Sequence, residues 1–220
     1  MFYTPDTNDH GLPFNPLKSC VVPRPIGWIT TIRENGQVNL APFSQFNLIG
    51  FEPAYVMFSA NTHPPHYRPK NSTRNAERTG EFVYNMATWE MREDVVRSSR
   101  LMDPDTDDLQ VLKLESAPGV AITTPHLACA PVAFECRHYS TLTLPGETPD
   151  TTHRVVIGRV VGVHIRDDAL TEDGRLDIAR LKPLTRLGYM DYSAVESVFE
   201  VELPEDWASA STRRKMMGRA

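Results

Sequence analysis

The dipeptide Asn35-Gly36 lies between two runs of residues that favour β-strands. Asn-Gly is typical of a tight turn in which both central residues have positive φ, because Asn and Gly adopt that conformation at little steric cost. The pattern predicts a β-hairpin, with a first strand over 26–33 and a second strand that starts near Gln37. Because proline cannot donate a hydrogen bond to a central ladder, we expect the second strand to stop near Pro42.

The segment that follows the hairpin is polar and aromatic, and it lies where the chain leaves the predicted sheet. It consists of Phe43, Ser44, Gln45, Phe46 and Asn47. A strand end leaves backbone amides without partners, and such amides beside Ser and Asn side chains suit a planar polar ligand or an oxyanion. The pattern by itself also fits a plain exit loop, so both interpretations stay open at this point.

Composition restricts the chain to a globular protein without a broad charged surface. The 220 residues are 40% hydrophobic and 23% charged, with a net charge of −5, and this is ordinary for a single domain. That charge does not attract a nucleic-acid backbone, so we expect no nucleic-acid partner. No apolar run approaches the roughly 18 residues of a membrane span, and the first residues lack the pattern of a signal peptide, so we expect no membrane association either.

The three cysteines, Cys20, Cys129 and Cys136, are widely spaced and form no CxxC motif. An odd number at such spacing favours a reducing compartment and argues against a disulfide framework or a structural zinc site. We therefore expect the protein to be cytoplasmic.

Two short patterns resemble metal sites but lack essential features. His63 and His66 have a spacing that can bind metal from a helix, yet the two prolines between them disfavour a helix. Asp103, Asp105 and Asp107 alternate as they do at the start of a calcium loop. The sixth position of that loop is Asp instead of Gly, and the twelfth is Leu instead of Glu. We therefore expect no metal site.

Residues 70–75, Lys-Asn-Ser-Thr-Arg-Asn, predict the start of a short helix. Asn71 or Ser72 is a suitable N-cap, and Gly80 suits the residue just after the helix. At such a terminus the free backbone N–H groups, the helix dipole and Lys70 all favour a phosphate group. The same residues also fit a capped helix with solvated charges.

The remaining β-prone runs are separated by few helices. They cover 54–60, 81–86, 120–123, 132–139, 154–165 and 198–203, and Thr88 is expected to cap a helix over 89–99. Strands and helices do not alternate regularly, which argues against a doubly wound parallel sheet, and no Gly-x-Gly spacing supports a dinucleotide loop. The prediction is a mainly β fold with short helices, built as a closed antiparallel barrel. It would form one domain over 1–203, followed by a C-terminal tail over 204–220.

Several short motifs occur in an order that resembles the flavin reductase-like family, the FMN-binding split barrels. They are Asn15-Pro16, Val-Pro-Arg-Pro-Ile-Gly-Trp (22–28), Asn-Leu-Ala-Pro-Phe-Ser-Gln-Phe-Asn (39–47), Lys-Asn-Ser-Thr-Arg-Asn (70–75), Thr-Gly-Glu-Phe-Val-Tyr-Asn (79–85), Phe-Glu-Cys (134–136), Val-Ile-Gly (156–158) and Lys-Pro-Leu-Thr-Arg-Leu-Gly (182–188). The resemblance extends over about residues 12–200. It implies a six-stranded antiparallel split barrel that forms a homodimer, with FMN near the interface between the two copies.

The same resemblance implies which residues bind the flavin. Ser44, Gln45, Phe46 and Asn47 would follow the isoalloxazine ring and the ribityl chain, Ser59, Ala60 and Asn61 would lie near the ribityl or phosphate, and Lys70, Ser72 and Thr73 would hold the phosphate. Arg24, Trp28 and Thr30 to Thr31 are further candidates for the flavin pocket, although Trp28 equally suits the core. The family often has Asp after the lysine, where this chain has Asn71; the change makes the site more positive.

The resemblance also implies an oxidoreductase that transfers a hydride from NAD(P)H to FMN. Hydride transfer to the flavin needs no general acid or base, so the lack of a catalytic triad or paired carboxylates is expected and no catalytic residue is assigned. An oxygenase or another electron acceptor would be a partner. The alternative is an FMN-binding electron-transfer or sensor protein that does not turn over NAD(P)H directly.

Overall fold

The computed structural model describes residues 1–62, 67–100 and 106–201. The strands are β1 (Arg24–Pro25), β2 (Gly27–Ile32), β3 (Val38–Phe43), β4 (Phe46–Phe51), β5 (Ala54–Asn61), β6 (Glu81–Met86), β7 (Ser116–Ala117), β8 (His126–Leu127), β9 (Val132–Pro145), β10 (Thr152–Ile165), β11 (Leu184–Gly188) and β12 (Asp191–Ala194). The helices are α1 (Asn71–Thr79), α2 (Arg92–Arg97), α3 (Asp108–Leu112) and α4 (Ile178–Leu181), with 3₁₀ turns at Pro16–Ser19, Trp89–Met91 and Asp167–Ala169.

The main sheet has seven strands in the order β3-β2-β6-β9-β10-β5-β4, and every neighbouring pair is antiparallel. Its two edge strands, β3 and β4, follow each other in the chain with only Ser44 and Gln45 between them. All seven strands contribute to a single apolar core, so the sheet curls around its own interior. The mainly β fold with an antiparallel barrel is confirmed, with seven strands in the main sheet where six were expected.

The hairpin around Asn35-Gly36 forms as predicted, but its turn is wider. The N–H of Arg33 donates to the carbonyl of Gln37 at 2.8 Å, and of the two central residues only Gly36 has positive φ, at 84°. A loop of this length needs the left-handed conformation at one position, where glycine has no steric penalty. Pro42 lies inside β3 opposite Trp28, and it is tolerated there because β3 is an edge strand.

A second apolar cluster packs on the outside of the barrel wall. Trp28 on β2 and Leu40 on β3 contribute to it, together with Val95 of α2, Leu109 of α3 and Leu127 of β8. The short helices therefore cover one outer face of the β2–β3 hairpin. None of the helices in the described part of the chain is long and apolar enough to span a bilayer.

Three of the expected elements differ from the structure. Residues 120–123 form bends instead of a strand, because their backbone amides donate to the carboxylates of Glu135 and Glu81. The helix expected over 89–99 is divided into a 3₁₀ turn and α2, and Thr88 does not cap it with its side chain. The described part of the strand expected over 198–203 has no regular structure.

Some of the sequence predictions lie outside the described residues. These are the His63–His66 spacing, the first two aspartates of the calcium-like pattern, and the C-terminal tail over 204–220.

Candidate functional site

The first turn of α1 has backbone amides without acceptors. Lys70 is the N-cap residue, and no side chain in the described part of the chain caps the helix. The first hydrogen bond of the helix runs from the N–H of Arg74 to the carbonyl of Lys70, at 3.1 Å, so the amides before Arg74 have no acceptor within the helix. The expectation that Asn71 or Ser72 would cap the helix is therefore wrong, whereas Gly80 ends it with a φ of 73° as predicted.

Lys70 places a positive charge beside this turn. Its Nζ lies 5.6 Å from the centre of the Phe43 ring. Although much of the side chain is exposed, the ammonium is surrounded by enough protein that desolvation lowers the pKa of Lys70. No carboxylate in the described part of the chain forms an ion pair with it. The charge is therefore available to an anion.

Two buried hydroxyls follow Lys70 on the same turn. Thr73 is fully buried, and its Oγ1 has no hydrogen-bond partner among the described residues. Ser72 is also buried, and its Oγ accepts a hydrogen bond from Nδ2 of Asn39 at 2.9 Å. A buried hydroxyl without a partner lowers stability by about 1–3 kcal/mol. An acceptor-only ligand such as a phosphate would remove that penalty, so Lys70, Ser72 and Thr73 fit the phosphate of FMN.

The exit segment after β3 lies beside β5. The carbonyl of Gln45 accepts a hydrogen bond from the N–H of Ser59 at 2.8 Å, which brings together two groups of residues that the resemblance assigned to the flavin. Ser44 is half-buried, Gln45 and Asn47 are exposed, and the Oδ1 of Asn47 accepts from the next backbone N–H. Phe46 instead points into the barrel, where it stacks on Tyr84 with ring centres 4.5 Å apart.

The end of β5 has one buried and one accessible face. Ala60 belongs to the barrel core, whereas Ser59 and Asn61 lie on the other face and are half-buried. The Oδ1 of Asn61 is 2.8 Å from Nδ1 of His153 on the neighbouring strand. Ser59 and Asn61 can therefore meet a ligand on the outer face of the strand, and Ala60 can do so only through its backbone.

The candidates on β1 and β2 already have partners within the chain. The indole N–H of Trp28 donates to Oγ of Ser98 at 2.8 Å inside the second core cluster, so Trp28 has the core role that its sequence context also allowed. The hydroxyl of Thr30 donates to the carbonyl of Pro125 at 2.8 Å. The guanidinium of Arg24 donates to two backbone carbonyls of the N-terminal segment, at 2.6 and 3.2 Å.

Two buried asparagines that support the α1 turn were not predicted. Asn39 extends from β3 to Ser72, and the Nδ2 of Asn75 donates to Oγ1 of Thr31 at 3.1 Å. Thr31 lies on the same face of β2 as the core residue Ile29. The available signals were a polar residue on the inward face of β3 and the spacing of three that places Asn75 above Ser72 on one side of the helix.

Comparisons with known proteins identify the family of this chain. The family model described as the flavin reductase like domain matches residues 19–192. An uncharacterised protein from Halalkalibacterium halodurans is 30% identical over 204 residues, covering 93% of this chain and 97% of that protein.

Two solved structures share the fold. Nitrilotriacetate monooxygenase component B from Bacillus cereus has a TM-score of 0.82 at 24% identity, covering 91% of this chain and 98% of its own. An FMN-binding protein from Thermus thermophilus has a TM-score of 0.68 at 19% identity, covering 88% and 97%. The sequence motifs, the curled antiparallel sheet and these matches lead to one conclusion: the chain belongs to the flavin reductase-like family of split-barrel proteins.

Proposed function

We propose that the protein binds FMN and transfers a hydride to it from NAD(P)H. The observation that carries this proposal is the first turn of α1, where Lys70, amides without acceptors and the unpartnered hydroxyl of Thr73 occur together with no anion in the described part of the chain. A phosphate monoester carries close to two negative charges at neutral pH, so it matches this set of donors.

Each group of residues has a distinct task in this proposal. Lys70, Ser72 and Thr73 hold the phosphate, while Ser44, Gln45 and Asn47 follow the ring and ribityl chain together with Ser59 and Asn61 on β5. Bound FMN would supply the redox chemistry, since its ring accepts the hydride. Phe46 and Ala60 support the pocket from the core side. The protein thus contributes position and charge.

The outer apolar face of the barrel supports a homodimer. We define this face by side chains on β5, β9 and β10, namely Tyr55, Met57, Tyr139, Leu142, Val155 and Ile157. Tyr139 and Leu142 are 66% and 53% exposed, and exposed apolar patches mark interaction surfaces. Ser59 and Asn61 lie on the same face of β5 as Met57, so a second copy seated there would supply another wall of the flavin pocket.

The dimer predicts a mass near twice that of one chain in light scattering at low micromolar concentration. A change of Leu142 to Glu should place a charge in the interface and shift the protein toward monomer. If the wild-type protein is monomeric and fully occupied by flavin, a second copy does not supply a wall of the flavin pocket.

Anaerobic reduction tests the reaction. Protein reconstituted with FMN is mixed with NADH or with NADPH, and the visible absorbance of oxidised flavin is followed. Loss of that absorbance with either nicotinamide supports the reductase, and the faster one identifies the donor. Flavin that binds but is reduced only by a chemical reductant would instead support the electron-transfer or sensor function.

The three cysteines are all free thiols, which supports our placement of the protein in the cytoplasm. The structural similarity to a monooxygenase component supports an oxygenase as the recipient of reduced flavin. Co-purification with a flavin-dependent oxygenase, or oxygenase turnover driven by this protein and NAD(P)H, would test that partnership.

A further inference from the structure

A buried network of side chains connects the β2–β3 hairpin to the α1 turn. Asn39 is only 5% exposed, and its Nδ2 donates to Oγ of Ser72 at 2.9 Å and to Oγ1 of Thr31 at 3.3 Å. Asn75, on α1, donates from its own Nδ2 to the same Thr31 oxygen at 3.1 Å. Two strands and one helix therefore meet in one set of hydrogen bonds.

The donors and acceptors of this network are fixed by chemistry. An amide NH₂ group has two hydrogens and cannot accept, so Ser72 Oγ must accept from Asn39. A hydroxyl that accepts in this way keeps its own hydrogen for another partner. Within the described residues nothing accepts the Ser72 hydrogen. Ser72 can thus donate this hydrogen to a ligand at the first turn of α1.

We propose that Asn39 is a positioning residue that makes Ser72 a hydrogen-bond donor to a phosphate monoester. With Ser72 held in this way, the turn presents the Lys70 ammonium, backbone N–H groups and hydroxyl hydrogens, all of them donors. An ionised phosphate has only acceptor oxygens, so it satisfies every one of these groups. This inference rests on the proposed function and adds a residue to the phosphate site that lies 33 positions away from Ser72 in sequence.

The test compares binding of FMN with binding of riboflavin, which lacks the phosphate. The full-length variants Ser72→Ala, Asn39→Ala and the double variant are titrated with each flavin by fluorescence. A hydrogen bond to a charged phosphate oxygen is expected to change affinity by about tenfold or more. Each single variant should therefore weaken FMN binding by about that factor and leave riboflavin binding unchanged. The double variant should bind FMN no more weakly than the weaker single variant, because Asn39 acts through Ser72.

Asn85 provides a matched control. It is another fully buried strand asparagine, but it donates to the carbonyl of Trp28 and its Oδ1 accepts from the N–H of Leu127, away from α1. Asn85→Ala should lower the thermal unfolding temperature without changing the ratio of FMN to riboflavin affinity. If that ratio changes as much as it does in Asn39→Ala, the effect is general destabilisation and the inference is wrong.

Asn39→Asp serves if Asn39→Ala does not fold. It keeps the side-chain volume but can only accept when ionised, so it takes the Ser72 hydrogen away from the ligand and should weaken FMN binding without affecting riboflavin. Equal losses of affinity for FMN and riboflavin in either Asn39 variant would overturn the positioning role of Asn39. Losses of FMN affinity that multiply in the double variant would overturn it too. Neither result would contradict the proposed function. If Ser72→Ala leaves FMN affinity unchanged, Ser72 does not donate to the phosphate and the inference is wrong. The proposed function fails only if the wild-type protein binds no FMN.

Discussion

We compare two regions of this barrel in which several backbone N–H groups lie close together. The two regions differ in the group that accepts hydrogen bonds from these amides. The first is the carboxylate of Glu135, which accepts from the amides of Val120, Ala121 and Ile122 at 2.7, 2.6 and 2.9 Å. Its Oε1 also lies 2.5 Å from Nε2 of His164. The second is the first turn of α1, where the amides, an ammonium and two hydroxyls have no anion in the described part of the chain.

The difference separates a structural site from the proposed ligand site. Glu135 is fully buried and fully hydrogen-bonded, so the loop over 120–122 has its anion built into the chain. At α1 the position after Lys70 is Asn71, whose side chain does not cap the helix. We propose that a bound phosphate supplies the negative charge at this turn.

The titration behaviour of the two places differs accordingly. Burial alone would raise the pKa of Glu135, but the amide of Val120, the ring of His164 and the amides of Ala121 and Ile122 together lower it below the ordinary value. For Lys70, desolvation lowers the pKa and no partner opposes it. A bound dianion would oppose it, because an opposite charge favours the protonated ammonium.

The largest effect on stability is expected at Glu135. Glu135→Gln keeps the shape but removes the charge that receives three amides, so we expect the free energy of unfolding to fall by about 3 kcal/mol. Urea unfolding of the wild type and the variant measures this. FMN affinity of the folded variant should not change. A loss of stability below about 1 kcal/mol would mean that the loop over 120–122 keeps its conformation without the carboxylate.

At the first turn of α1, replacing Lys70 should weaken ligand binding and leave folding unchanged. Lys70→Ala removes a charge-assisted hydrogen bond worth about 1.5–3 kcal/mol, so FMN affinity should fall by about tenfold or more while riboflavin affinity hardly changes. Lys18→Ala, at an exposed lysine of the N-terminal 3₁₀ turn, is the matched control. Equal losses of both flavins would show that the phosphate binds elsewhere, with Arg24 and Arg74 as the next candidates.

A site built for one anion should prefer FMN to FAD. The terminal phosphate of FMN carries close to two charges, whereas each phosphate of a pyrophosphate diester carries one. We expect FMN to bind several-fold more tightly in parallel titrations. Tighter binding of FAD would indicate a second anion site and would remove the parallel with the single carboxylate of Glu135.

The smallest expected effect is on the pH dependence of stability, through a histidine near Glu135. Desolvation, and to a lesser extent the neighbouring His164, lower the pKa of His126, whose ring stacks on that of His164 at 4.3 Å. The unfolded chain therefore takes up this proton first, and stability should decrease as the pH falls below the ordinary histidine pKa of about 6.5. His126→Gln should flatten this part of the stability profile. An unchanged slope would assign the dependence to other groups.

The elements that sequence analysis located correctly are those whose signals are local. The hairpin follows from Asn35-Gly36, and α1 ends at Gly80 because glycine tolerates the left-handed conformation. The strand β6 has the predicted bounds, Glu81–Met86. Each of these signals lies within a few residues of the structure it determines.

The errors and omissions arise from contacts between distant parts of the chain. Val120 and Ile122 have β-branched side chains that favour a strand, but their amides donate to Glu135, which lies 13 to 15 residues later in the chain. Asn39 supports the α1 turn through a partner 33 residues away, and Trp28 meets Ser98 across 70 residues. No local pattern encodes such pairs, so the sequence predicted a helix that starts near Lys70 but not the side chains that support its first turn.

The strand order also determines how long a newly synthesised strand waits for the strand with which it pairs. The inward residues of β5, among them Val56 and Phe58, lie in the main sheet between β4 and β10. The hydrogen bond from Thr62 to Thr152 that continues the β5–β10 pairing spans 90 residues. At a translation rate of about 5–20 residues per second, β5 waits roughly 5 to 18 seconds for its partner strand. Throughout that interval one edge of β5 is unpaired, so the ribosome-bound chain carries a temporary aggregation risk that the finished barrel does not have.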